Sequence, residues 1–163
     1  MKVIVRGKHP KVTAKELRYA AKYMSSMLMT DKLCEQIAVR IRPMKLDEEG
    51  ATLWLDTNHK PREFEVQLNT KLSREHTLYA LGHELVHVRQ FAKGELKQMA
   101  RELKIKWKKK KYNALDQEDH LKYWSLPWEM EARAYEEVLM QHYKIHIKEQ
   151  KKVDEKRKKR INK

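Results

Sequence analysis

The sequence predicts an α+β domain: a small mixed sheet packed on a central helix, with a further long helix beside it. Three observations carry this. Residues 36–42 and 63–69 alternate as half-buried strands do, with Ile37, Val39 and Ile41 on one face of the first and Phe64, Val66 and Leu68 on one face of the second. The stretch from Ser73 to Ala92 repeats its apolar residues at helical spacing and is apolar around most of its circumference, as a helix enclosed by its fold must be. Pro127 stands where helix N-termini accept proline, ahead of a second long helical run from Trp128 to Ile147.

The elements follow in order. Lys2 to Arg6 alternates weakly and reads as a short strand. Thr13 and Glu16 form a Thr-x-x-Glu capping box before Leu17, Ala20, Ala21, Met24 and Met27, which predicts a helix over 14–29. Strands at 36–42, 51–56 and 63–69 are separated by the turns Glu48-Glu49-Gly50 and Asn58-His59-Lys60-Pro61. In the helix opened by Ser73, counted at about 100° per residue, Leu78, Leu81, Leu85 and Val88 share one stripe while His83 and His87 lie nearly opposite. Histidines on the second face of an enclosed helix look into an enclosed space. Between 93 and 126 the clearest pattern is Lys104-Ile105-Lys106-Trp107-Lys108, which alternates like an exposed strand. The domain is expected to span 1–147. Residues 148–163 carry almost no apolar content and read as a basic tail, either a solvated helix extension or a disordered segment.

The 163 residues suit one domain, and charged residues make up 37% of them, well above the quarter that is usual. No apolar run is long enough to span a bilayer, and the apolar part of Met1 to Gly7 is too short for a secretory signal, so a cytoplasmic protein with no membrane partner is expected. Cys34 is the sole cysteine, which excludes an intrachain disulfide and any multi-cysteine zinc finger; amid apolar neighbours it reads as core filler. The net charge of +14 is uneven: Lys144 to Lys163 hold ten Lys/Arg against three Asp/Glu. Such a surplus attracts polyanions and says nothing of catalysis.

The chemistry concentrates in His83-Glu84-Leu85-Val86-His87, a His-Glu-x-x-His on a predicted helix. Residues i and i+4 share one face, so both imidazoles can reach one Zn²⁺. Glu84 is turned about 100° from its neighbour, beside the metal, where it can take a proton from bound water without being a ligand. One zinc per chain is the cofactor this pattern expects. A catalytic zinc needs a third protein ligand, and the best source is Pro127 to Tyr135. Glu129 and Glu131 point about 200° apart on a helix, so one of them serves. The wheel from Met130 to Ile145 puts Glu131 nearer the apolar face, with Ala134, Tyr135 and Val138, and Glu129 at its edge.

These motifs, Gly82 to Gln90 and Pro127 to Ala132, resemble the gluzincin branch of the zincin metallopeptidases, closest to small phage-encoded and SprT-like peptidases. The resemblance covers about a tenth of the chain directly and implies a zincin-like fold, peptide-bond hydrolysis and a host-cytoplasm setting if phage-encoded. By the family's pattern the third ligand is the glutamate three residues before the alanine, here Glu129. The acidic residue that usually follows that alanine, and supports a metal-binding histidine, is replaced by Arg133. The resemblance also implies that an edge strand holds an extended peptide substrate, for which 51–56 is the candidate.

Other features compete with plainer readings. His142 and His146 stand at i and i+4 but read as a surface pair, lacking a glutamate beside His142. Lys104 to Lys111, with Trp107 and Tyr112, resembles either a nucleic-acid stripe with stacking aromatics or a lysine-guarded edge strand. Trp124 and Trp128 could line a cleft or pack a helix end, and His120 and Tyr123 are candidates for stabilising an oxyanion. The leading expectation is therefore a zinc peptidase acting on protein or peptide substrates. The alternative is a nucleic-acid-associated binding protein with a structural or vestigial zinc, its nonspecific contacts made through Lys104–Lys111 and the 148–163 tail.

Overall fold

The computed structural model of the protein describes residues 1–99, 103–117 and 119–161, the side chains of 117, 120, 121, 160 and 161 excepted. Its architecture is α+β, with two small sheets. The first sheet has the order β1-β2-β4-β3, from strands β1 (Lys2–Val5), β2 (Ala38–Met44), β3 (Gly50–Trp54) and β4 (Glu63–Asn69). β1 and β4 run parallel to β2, and β3 closes the sheet antiparallel to β4, so the sheet is mixed and β3 is one of its edges.

One face of this sheet is apolar because Val39 and Ile41 alternate in β2, and Phe64, Val66 and Leu68 in β4. Helices α1 (Ala14–Leu28) and α3 (Arg74–Lys93) pack against the sheet, and Leu17, Met24, Leu78, Leu81 and Leu85 are among the fully buried side chains. Opposite residues of the strands are polar: Glu65 sits between Arg40 and Arg42, 3.7 and 3.6 Å away. α5 (Pro127–Ile161) lies against α3, which is therefore covered on two sides. The second sheet is a meander of β5 (Leu96–Met99), β6 (Lys104–Trp107) and β7 (Lys110–Asn113). Its Leu96, Ile105 and Trp107 are buried, and Trp107 meets Trp128 of α5 at 6.3 Å between ring centroids.

Local chemistry sets the boundaries. Thr13 accepts from the Glu16 N–H at 3.1 Å and opens α1, but the Glu16 carboxylate pairs with Arg74 instead of closing the expected capping box. Residues 31–36, part of which the alternation assigns to a strand, form the short helix α2 (Asp31–Gln36) capped by Thr30, which delays β2 to Ala38. Asp56 leaves β3, expected to reach it, because its carboxylate accepts the N–H groups of Asn58, Arg62 and Glu63 at 2.7–2.9 Å and builds the turn. A one-turn helix, α4 (His120–Tyr123), precedes α5. α5 is unbroken through residue 147 to Ile161, so the basic segment continues the helix; its residues from 148 to 159 are exposed. Cys34 is buried and its burial pushes the thiol pKa up. Among the described residues no helix is long and apolar enough to cross a membrane.

Candidate metal centre

Ser73 accepts from the His76 N–H to start α3, and Gly94, at φ 71°, ends it in the left-handed conformation that favours glycine. Within that span His83 and His87 stand one turn apart with their Nε2 atoms 3.1 Å from each other. Glu129, in the first turn of α5, reaches both: its Oε2 is 3.2 Å from His83 Nε2 and its Oε1 3.4 Å from His87 Nε2. Glu129 and His87 are buried, and the ligand atoms of all three residues lie within 4.8 Å of one another.

The remaining ring nitrogens are also tied down. His83 Nδ1 is 2.7 Å from Glu136 Oε2, two turns further along the same face of α5. His87 Nδ1 is 2.8 Å from Gln90 Oε1, while Gln90 Nε2 donates to the Trp128 carbonyl at 3.1 Å and to Glu131 at 2.9 Å. Both Nδ1 atoms therefore donate to oxygen acceptors, which turns the Nε2 atoms toward Glu129. A buried carboxylate facing two imidazole Nε2 atoms calls for positive charge between them, which a proton on a ring or a metal cation supplies. The electrostatics agree. Burial pulls His83 down, but its bonds to Glu129 and Glu136 outweigh this and push it up to about 10. Burial also opposes the charge on His87, and its bond to Glu129 raises it nonetheless. The Glu129 carboxyl, which burial alone would raise, is brought down to about 2 by its bonds to the two histidines. Two nitrogens and one carboxylate oxygen form a donor set that suits zinc better than the oxygen-seeking Mg²⁺ or Ca²⁺.

Glu84 is buried beside this group and bonded to Thr52 Oγ1 at 2.7 Å. Burial pushes its carboxyl pKa up, against the pull of His87, His83 and Thr52. It lines a cleft of about 490 Å³ together with His83, Tyr123, Trp124, Arg133 and Glu136. Burial, the charge of Glu129 and a hydrogen bond to that carboxylate all raise the Tyr123 pKa, so its hydroxyl keeps its proton. The other oxyanion candidate, His120, has a side chain outside the described residues.

Several sequence expectations change here. Glu131, which the wheel favours, turns away from the histidines toward Arg89 and Gln90, with Lys108 at 3.7 Å. The wheel fails because α5 buries Trp128, Glu129, Ala132, Leu139, Met140 and Tyr143, while Tyr135 and Val138 are 38% and 48% exposed. The position that the family resemblance expects to be acidic is Arg133, whose guanidinium lies 3.3 Å from the Trp124 ring centroid; Glu136 makes the contact to His83 instead. Trp124 lines the cleft and Trp128 packs in the core. Trp107 is buried and the half-buried Tyr112 stands edge-on to Trp128 at 5.3 Å, so Trp107 packs inward and offers no open face for stacking. His146 stacks on Tyr23 at 4.3 Å, and His142 lies exposed.

Glu136 and Gln90 had signals in the sequence that a reading centred on ligands passes over: Glu136 lies two turns after Glu129, and Gln90 three residues after His87. Thr52 had none, because its partner is thirty-two residues away. No family model, curated protein or solved structure matches the chain.

Proposed function

We propose that this protein is a zinc-dependent metallopeptidase of zincin-like fold, with His83, His87 and Glu129 as ligands and Glu84 as general base. The convergence of two Nε2 atoms and a buried carboxylate, each histidine held by a bond from its other nitrogen, carries the proposal. Zinc held there supplies a Lewis acid that polarises a peptide carbonyl and makes a bound water easier to deprotonate. The chain does the rest. Glu84, outside the ligand set and raised by burial, accepts the water proton and passes it to the leaving nitrogen. Tyr123, kept protonated at the cleft, is suited to donate to the developing oxyanion. Edge strand β3 has a free side along which an extended peptide can pair, with the cleft at one end.

Glu84→Gln tests this. The variant is expected to bind one zinc per chain while hydrolysis of a labelled, unfolded protein substrate falls by about 10²–10⁴-fold. Loss of zinc in the variant makes Glu84 a ligand; undiminished hydrolysis removes the role of base.

A further inference from the structure

We infer that Thr52 is a positioning residue for Glu84, and that Gly50 keeps clear the space this requires, so that the edge strand β3 aims the general base. The inference rests on the metallopeptidase reading and deepens it. Gly50, Thr52 and Trp54 alternate along β3 and share its face toward α3: Trp54 meets Phe91 at 4.9 Å, and the other two meet Glu84. Thr52 Oγ1 lies 2.7 Å from Glu84 Oε2 and 3.0 Å from the Glu84 carbonyl oxygen, so one hydroxyl reads both the carboxylate and the helix turn that carries it. On the other side, a Cβ at Gly50 would stand 3.0 Å from Glu84 Cγ and Oε1 and 3.0 Å from the Gln67 carbonyl oxygen. Any larger residue there has to displace the glutamate or the backbone of β4.

The carboxylate is thus held through one oxygen and bounded at the other. A free glutamate samples several rotamers, and a base that must meet a water proton in one direction loses rate to each misdirected one. Fixing it from β3 has a consequence for substrate. On the proposed reading, the edge strand along which a peptide would pair is also the strand that aligns the base.

The test uses the full chain loaded with zinc for kinetics and with cobalt for spectroscopy. Thr52→Val keeps the side-chain shape and removes the donor; Thr52→Ser restores the donor in a smaller side chain. The probe is acetohydroxamate, a metal chelator whose hydroxyl has to meet the Glu84 carboxylate in one direction, titrated by the visible absorption of the cobalt protein. Thr52→Val is expected to weaken acetohydroxamate about tenfold and lower kcat on labelled casein at least as much, with KM and metal content unchanged. Thr52→Ser is expected to recover both. Acetohydroxamate affinity equal to wild type in Thr52→Val overturns the proposal, and so does a loss that Thr52→Ser fails to recover, which would assign the effect to packing. A wild-type chain that takes up no metal sinks the metallopeptidase reading itself, and the metal analysis separates that result from the Thr52 comparison. The acetohydroxamate arm decides even if casein is a poor substrate.

Discussion

The core between α3, α5 and β3 and the basic surface formed by the β5–β7 meander solve opposite electrostatic problems. In the first, carboxylates and imidazoles are buried and converge, each tied by a short hydrogen bond, and positive charge at their meeting point offsets Glu129. In the second, the strand register places Lys97, Lys106 and Lys111 directly opposite one another on three neighbouring strands. Strands lie about 4.8 Å apart, and like charges facing across them destabilise a sheet. Burial, with the charges of Lys106 and Lys60, lowers the Lys97 ammonium pKa. Convergence at a buried point could hold one small cation. A row on a surface selects nothing by size and attracts polyanions in general. This row and the exposed basic end of α5 favour the nucleic-acid reading, through phosphates alone, since Trp107 is packed away.

The largest expected effect lies in the ligands. His83→Ala, His87→Ala and Glu129→Ala should each reduce bound zinc from one per chain to none after dialysis, measured by elemental analysis. Glu131→Ala should keep its zinc and lose about 1–3 kcal/mol of stability in denaturant titration, because Arg89, only 8% exposed, loses its nearest carboxylate and keeps Glu95 at 3.4 Å. The opposite ranking of Glu129 and Glu131 would move the centre by two residues.

The supports come next. Glu136→Gln and Gln90→Leu should weaken zinc by about 10–100-fold without abolishing it, since each unties one histidine from its acceptor. Equal affinity in both variants would mean that packing alone orients the rings. Zinc binding should also release protons. His83 is raised to about 10, so it is protonated at pH 7, and zinc has to displace that proton. Apparent affinity should climb by about tenfold per pH unit for each proton displaced and level off near pH 10, which calorimetry in buffers of different ionisation enthalpy can follow. A flat profile between pH 7 and 9 would contradict the paired histidine–carboxylate arrangement.

The smallest effects belong to the basic surface. Lys106→Gln removes the middle charge of the row and should raise stability by about 0.2–1 kcal/mol while lowering affinity for duplex DNA. Removing the residues after Gln150 should weaken DNA binding further and reduce its salt dependence, with zinc content unchanged. If neither change alters DNA binding, the lysines serve solubility and the second reading falls.

What could be read from the chain alone was whatever repeats locally. Helix α3, the alternation of β4 and the spacing of His83, Glu84 and His87 depend on neighbours within a few residues, and pattern reaches those. Tertiary structure decided the rest, and α5 shows why. A hydrophobic wheel assumes that the buried face is the apolar one, yet the face of α5 turned to α3 carries Glu129 and Glu136 because a polar centre lies between the helices. The stripe containing Tyr135 and Val138 was left outside. The exchange of Arg133 for Glu136 as the support of His83, and the hold of Thr52 on Glu84, likewise join residues tens of positions apart. Spacing along one helix is a property of the backbone's own period. Which carboxylate meets which imidazole depends on how two helices and an edge strand pack, and no local pattern records that.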